Sequence, residues 1–191
     1  DDIGCKILSL NADGEGEVTN HLENYDGFFK PKTRENEDLA ALLYTSGTTG
    51  KPKGAMLTQQ NLVSNARQLK SLWNMSAKDT LIHSLPIYHT HGLFVAINTS
   101  MMSGTTIRFI KNFNIDSVIE AFKYSTLMMG VPTFYTRLLK DKRLNKSLTQ
   151  NIKLFISGSA PLLTKTHQDF YNITGHRILE RYGMTETNMN T

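Results

Sequence analysis

Eleven consecutive residues, Tyr44 to Gly54 (YTSGTTGKPKG), hold three glycines, four Ser or Thr hydroxyls and two lysines. Backbone N–H groups in a glycine-rich turn can point together at an anion, while hydroxyl and ammonium groups add donors and charge. The chemistry this composition suits is the holding of phosphate. A bare surface turn has little use for so many hydroxyls and lysines at once. The nucleotide-binding pattern G-x-x-x-x-G-K-[ST] fails on register, because Pro52 stands where its second glycine should be and Lys51 precedes a proline. The loop is therefore a phosphate holder of another kind.

Histidine is the other reactive residue type that clusters, with His83, His89 and His91 close together. The His-Thr-His spacing raises zinc, but no cysteine or acidic third ligand stands nearby, which argues against it. His83 lies inside an apolar run and is expected to be a hydrogen-bonded core histidine. The single cysteine, Cys5, excludes an internal disulfide framework and a Cys-rich metal site, and suits the reducing cytoplasm. The net charge of +4 is mild, and part of it sits in the run KDKRLNK, Lys140 to Lys146. No long basic stripe or interleaved aromatic platform accompanies it, so a nucleic-acid partner is not indicated.

The elements that must position these residues can be read from apolar patterning. At 191 residues, 39% hydrophobic and 20% charged, the chain has the size and balance of one globular domain. Its most apolar stretch is broken by Asn98, Thr99 and Ser100, so no membrane span is expected. The N-terminus has no signal-peptide pattern and no initiator Met, which leads us to expect a piece of a longer chain or a processed one. A leading strand at Lys6 to Leu10 and a polar linker with one short helix are expected to occupy residues 1–38. From residue 39 onward, short apolar runs alternate with helical stretches: LAALLY, TLIHSL, TTIRFI, TLMMGV, NIKLFIS and HRILERYG read as strands. Thr58 and Asn114 are natural N-caps for two of the intervening helices. The pattern predicts an α/β fold with a largely parallel sheet and alternating helices, whose ligands gather at the carboxyl ends of the strands. Four loops of unusual composition follow strands: the glycine-rich loop, Gly-Val-Pro-Thr, Ser-Gly-Ser-Ala-Pro and Tyr-Gly-Met-Thr-Glu-Thr. They are expected to converge on one edge.

These four motifs together carry a resemblance. YTSGTTGKPKGAMLT resembles the signature loop of the adenylate-forming (AMP-binding) superfamily, LPIYHTHG its Pro-aromatic-His segment, SGSAPL its adenine-side loop and ERYGMTET its Tyr-Gly-x-Thr-Glu motif. They occur in the family's order over residues 39–191, which is far more specific than any one of them. The resemblance implies part of the large N-terminal domain of an enzyme that joins a carboxylate to the α-phosphate of ATP. Thr45, Ser46, Gly47, Thr48, Thr49, Gly50 and Lys53 would then hold the β- and γ-phosphates. Gly158, Ser159, Ala160 and Pro161 would line the adenine side. Tyr182 would stack on the base, with Gly183 and Met184 beside it, Thr185 on the α-phosphate and Glu186 on Mg²⁺. His89 matches the position that orders the carboxylate pocket.

Two arginines narrow the expected acid. Arg137 follows the Gly-Val-Pro-Thr loop and Arg181 precedes Tyr182, so both are expected near the acyl end, where an aliphatic chain would leave a guanidinium without a partner. A second carboxylate on the substrate would pair with them. Within the superfamily the segments around His89, Arg137 and Arg181 look most like malonyl-CoA synthetases, acid–thiol ligases that join malonate or methylmalonate to coenzyme A. There Arg137 and Arg181 would hold the distal carboxylate, with Ser159 and His89 nearby, and Met184 and Met189 would keep the pocket short. Family members are longer, and the ribose-binding Asp and the C-terminal catalytic-lysine domain have no counterpart here, so the chain alone is expected to be incomplete for turnover. A medium-chain fatty acyl-CoA synthetase and a non-catalytic nucleotide-binding module are the competing readings.

Overall fold

The structure is a computed structural model describing residues 7–11, 13–23, 27–45 and 51–188. The chain divides into two compact units, Asp1–Arg34 and Glu35–Thr191. In the first, helix α1 (Glu17–Glu23) is the only regular element among the described residues. The strand expected at Lys6 to Leu10 does not form over residues 7–10. Ser9 turns instead to α1, its backbone N–H donating to Glu17 Oε2 at 3.0 Å. An isolated apolar run with no sheet to pair with has no reason to stay extended.

The second unit is a parallel sheet between two layers of helix, with a separate hairpin at one end of the chain. The hairpin is β1 (Leu39–Thr45) and β2 (Lys53–Thr58), antiparallel, with Thr45 opposite Lys53. This corrects one expectation. The strand that precedes the glycine-rich loop is not part of the parallel sheet, because KGAMLT pairs back on it as a hairpin strand. The signal for β2 was weak, since Lys53, Gly54 and Met56 are exposed and its apolar alternation is broken. Helix α2 (Gln59–Leu72) follows directly, and Thr58 forms a capping box with Asn61.

The sheet contains β3 (Thr80–His83), β4 (Thr106–Phe109), β5 (Leu127–Gly130), β6 (Leu154–Ser157) and β7 (Ile178–Glu180), in the spatial order β4-β3-β5-β6-β7 and parallel throughout. Its central strands are apolar on both faces, as parallel strands covered by helices require. Alternate residues feed two cores. Ile82, Met128 and Phe155 pack with Val118, Phe122, Tyr135 and Phe170, which come from α4 (Ile115–Ala121), the 3-10 turn after it, α5 (Pro132–Leu138) and α6 (Thr164–Thr174). Leu81, Leu127, Met129 and Ile156 pack on the opposite face with Leu69, Trp73, Val95 and Ala96. At the amino ends of the strands, buried Asp79 accepts from Thr126 Oγ1, Ser76 N–H and Lys153 Nζ, each at 2.8 Å. Burial alone would raise its pKa, but the hydrogen bonds from Lys153, Thr126 and Ser76 outweigh it and hold the carboxyl below its ordinary value.

Between β3 and α3 (Asn98–Ser103) the chain opens into a wide π-helical stretch, His91–Ile97. Such widened turns gather at functional sites. This one starts hard against the preceding loop: a Cβ on Gly92 would lie 2.1 Å from the Pro86 carbonyl oxygen. Only glycine lets the π-helix begin there, and that start is what places His91 under the sheet edge. Gly92→Ala is expected to cost about 3 kcal/mol through backbone overpacking. Urea unfolding tests it, and a loss below about 0.5 kcal/mol, the range of neutral surface changes, would mean the helix can start elsewhere.

Candidate active site

Three of the four expected loops leave the carboxyl ends of adjacent parallel strands β5, β6 and β7. The fourth, the glycine-rich segment, is the connection of the hairpin, and of it Ser46, Gly47, Thr48, Thr49 and Gly50 lie outside the described residues. What brings the hairpin to the site is a contact. Thr45 Oγ1, at the end of β1, donates to Glu186 Oε1 at 3.3 Å across 141 residues. Lys53, opposite Thr45, begins β2 with an exposed side chain.

Glu186 sits in a single 3-10 turn, Thr185–Thr187, directly after the Tyr182–Met184 segment. Tyr182 is 68% exposed, with its ring available for stacking. Glu186 and the Thr45 hydroxyl present hard oxygen atoms of the kind Mg²⁺ prefers. Among the described residues no three His, Cys, Asp or Glu side chains could hold a metal between them. Mg²⁺ fits these residues as an ion that completes its shell with substrate phosphates and water, not as one caged by protein alone.

At this edge lies a partly buried polar cluster centred on His91. Ser159, just past β6, is left-handed (φ +68°), an uncommon conformation for a non-glycine residue. Its Oγ lies 3.1 Å from His91 Nδ1. The histidine that touches Ser159 is thus His91. His89 is exposed, and its Nδ1 accepts from the His91 backbone N–H at 3.3 Å. Residue spacing favoured neither histidine, and only the π-helical start turns His91 inward. Gly158 explains how the cluster closes: a Cβ there would meet His91 Cε1 at 3.1 Å and Arg181 Cγ at 3.2 Å. Ala160 and Pro161 continue the loop with exposed side chains.

Arg181 is half-buried, with its guanidinium carbon 5.6 Å from the Trp73 ring centroid. Burial pulls its pKa down to about 10. Arg137 has different neighbours. It is exposed on α5, with its guanidinium carbon 4.6 Å from the Phe113 ring centroid. Met184 is 44% exposed at the mouth of the site, and Met189 lies outside the described residues.

His83 is fully buried, as expected, but neither ring nitrogen has a hydrogen-bond partner; the ring packs edge-on against Phe109 at 5.3 Å. Burial lowers its pKa to about 4. His91 falls to about 3, through burial first and then the positive charge of Arg181 and the neighbouring His89 and His83. Both are neutral at pH 7, which lets His91 act as a hydrogen-bonding group without adding charge beside Arg181.

A family model described as AMP-binding enzyme matches residues 3–191. A malonate–CoA ligase of Arabidopsis thaliana is 34% identical over 197 residues, covering 93% of this chain and 32% of the relative. ATP-bound MatB from Rhodopseudomonas palustris superimposes with a TM-score of 0.93 at 50% identity, covering all of this chain and 38% of that one. A malonyl-CoA ligase in a ternary product complex with methylmalonyl-CoA and AMP superimposes at 0.79 with 35% identity, covering 85% of this chain and 36% of that one. The chain spans about a third of the length of the curated relatives it matches. No described helix is long and apolar enough to cross a membrane.

The depressed histidines give the stability a defined pH dependence. Between the unfolded value of about 6.5 and the folded values, the unfolded chain binds protons that the folded chain does not. The stability due to each histidine is therefore complete above about pH 6.5 and declines on acidification, by up to about 1.4 kcal/mol per pH unit per group. His83→Leu is expected to remove about one proton from that slope, read as urea midpoints from about pH 7.5 to 4.5 in the linkage window. Equal slopes in the two proteins would show that His83 is not held neutral.

Proposed function

The chain belongs to the AMP-binding enzyme family, and from that premise we propose that the protein carrying it is an acid–thiol ligase joining malonate, or a similar short dicarboxylate such as methylmalonate, to coenzyme A with conversion of ATP to AMP and pyrophosphate. The observation that supports this best is the placing of Arg181. A half-buried guanidinium beside neutral His91 and Ser159 is a group that a distal carboxylate would suit and the end of a fatty acyl chain would not. The named activities of the two malonate-using relatives point the same way.

In the first half-reaction a carboxylate oxygen of the acid forms a bond to the α-phosphorus, and the bond from that phosphorus to the bridging oxygen breaks as pyrophosphate leaves. The obstacle is the meeting of two anions, so the site must neutralise and align them. Thr45 and Lys53, with Ser46, Gly47, Thr48, Thr49 and Gly50 between them, would hold the β- and γ-phosphates. Tyr182 would stack on adenine against Gly158, Ser159, Ala160 and Pro161, and Gly183 and Met184 would complete that wall. Thr185 would hold the α-phosphate, and Glu186 would hold Mg²⁺, which supplies charge neutralisation on the phosphates when bound. Arg137 and Arg181 would hold the distal carboxylate, while His89 would order the reacting one. In the second half-reaction the coenzyme A sulfur bonds to the acyl carbon, AMP leaves, and the thiol proton passes to solvent. A single cysteine suits the cytoplasm as its compartment.

In the full-length protein, ATP–pyrophosphate exchange should depend on malonate and be far weaker with hexanoate or acetate. Arg181→Ala should lower kcat/KM for malonate by about 10- to 150-fold, the range for lost hydrogen bonds to a charged group. A hexanoate preference unaffected by Arg181→Ala would make this a fatty acyl-CoA synthetase. Nucleotide binding without acid-dependent exchange would make it a non-catalytic module.

A further inference from the structure

The turn that holds Glu186 is a single turn, closed on its own side by Met184 N–H donating to Thr187 Oγ1 at 3.2 Å. Among the described backbone bonds it has Thr187 N–H to Met184 O at 3.2 Å and Asn188 N–H to Thr185 O at 3.1 Å. It ends on Asn188, left-handed at φ +51° and 3% exposed. A side chain 123 residues away meets it there: Asn65 Nδ2 donates to the Asn188 carbonyl at 2.6 Å. Asn65 is itself 91% buried, since 9% of it is exposed, and it stands on α2, the helix that continues directly from β2. The same helix wall, Asn61, Ser64, Asn65 and Gln68, faces Glu186 across a polar recess of about 250 Å³. Two buried amides in contact, Asn65 and Asn188, are an unusual way to fill a helix interface unless the pairing has a task, since an unsatisfied buried polar atom is costly and Asn65 Oδ1 has no partner.

We propose that Asn65 is a positioning residue that locks the Thr185–Glu186 turn to the phosphate-loop hairpin, and so sets the direction of the Glu186 carboxylate toward metal-bound nucleotide. The proposal rests on the reading of Glu186 given above. Two anchors act on that residue from one rigid piece of chain. Thr45, at the end of β1, engages the carboxylate itself, and Asn65, one helix further on, engages the turn beneath it. The capping box at Thr58 fuses hairpin and helix, so movement of the loop strands relative to Glu186 would break one anchor or the other.

The test uses the full-length protein and Mn²⁺ with ATP as probe, read by electron paramagnetic resonance without any acid present. Asn65→Asp replaces the donor by a carboxylate facing the Asn188 carbonyl, and Asn65→Ala removes it. Both should bind Mn²⁺–ATP about three- to tenfold more weakly, and both should raise the KM for Mg²⁺–ATP more than they lower kcat. Ser64→Ala, beside Asn65 on the recess wall, should leave both constants unchanged. Hydrogen exchange on the wild type adds a measurement that needs no variant: the amides of Thr187 and Asn188 should exchange as slowly as those in the middle of α2. Folded variants with wild-type Mn²⁺–ATP affinity, or fast exchange at those amides, would overturn the proposal. A wild type that binds Mn²⁺–ATP but shows no acid-dependent exchange would instead overturn the ligase reading and leave the positioning role of Asn65 standing.

Discussion

The central strands of the sheet are buried on both faces, and nearly everything about the site follows from that. Leu127 to Gly130 and Phe155 to Ser157 have no exposed face on which to present a polar group. Polar chemistry can therefore appear only where the strands stop. At the amino ends it appears as the Asp79 network, which ties the starts of β3, β5 and β6 together. At the carboxyl ends it appears as Gly158, Ser159 and Arg181, joined from the next layer by His91. The two ends differ: at the amino ends Asp79 closes its hydrogen bonds within the protein, and the carboxyl ends carry the loops proposed to meet substrate.

Close approach is the second constraint. Gly158 lets His91 and Arg181 meet over the end of β6, and Gly92 lets the π-helix begin against Pro86. Neither glycine is there for a special backbone angle; both are there because a methyl group would not fit. The resulting cluster pairs a guanidinium with the His91 imidazole, which burial keeps uncharged. Electrostatically the cluster has a single dominant positive charge, flanked by hydrogen-bonding groups that add no competing charge, which suits the anion-binding role proposed for it.

The side proposed to take nucleotide is built differently. Strands β1 and β2 form a hairpin outside the main sheet, so their relation to the Tyr182–Glu186 segment depends on side-chain contacts instead of a continuous ladder of backbone bonds. Such a connection is easier to loosen than a sheet, which would suit the ATP entry and pyrophosphate release proposed for this segment. It also means that residues remote in sequence, Thr45 and Asn65 among them, share responsibility for where one carboxylate points.

By itself the sequence determined the parts whose signals are local. The alternation of apolar runs and helices, the caps at Thr58 and Asn114, and the composition of the four loops could all be read from neighbouring residues, because periodicity, capping and turn chemistry act over a few positions. Tertiary structure decided the rest. It made LAALLY a hairpin strand, left residues 7–10 without a strand, brought His91 to Ser159, and set Asn65 under the Glu186 turn. The last two turn on which surface a residue meets across 68 and 123 positions of chain, and the first two on which partner strand exists, if any. Side-chain type says what a residue can bond; only packing, through steric limits as tight as those at Gly92 and Gly158, says what it is given to bond.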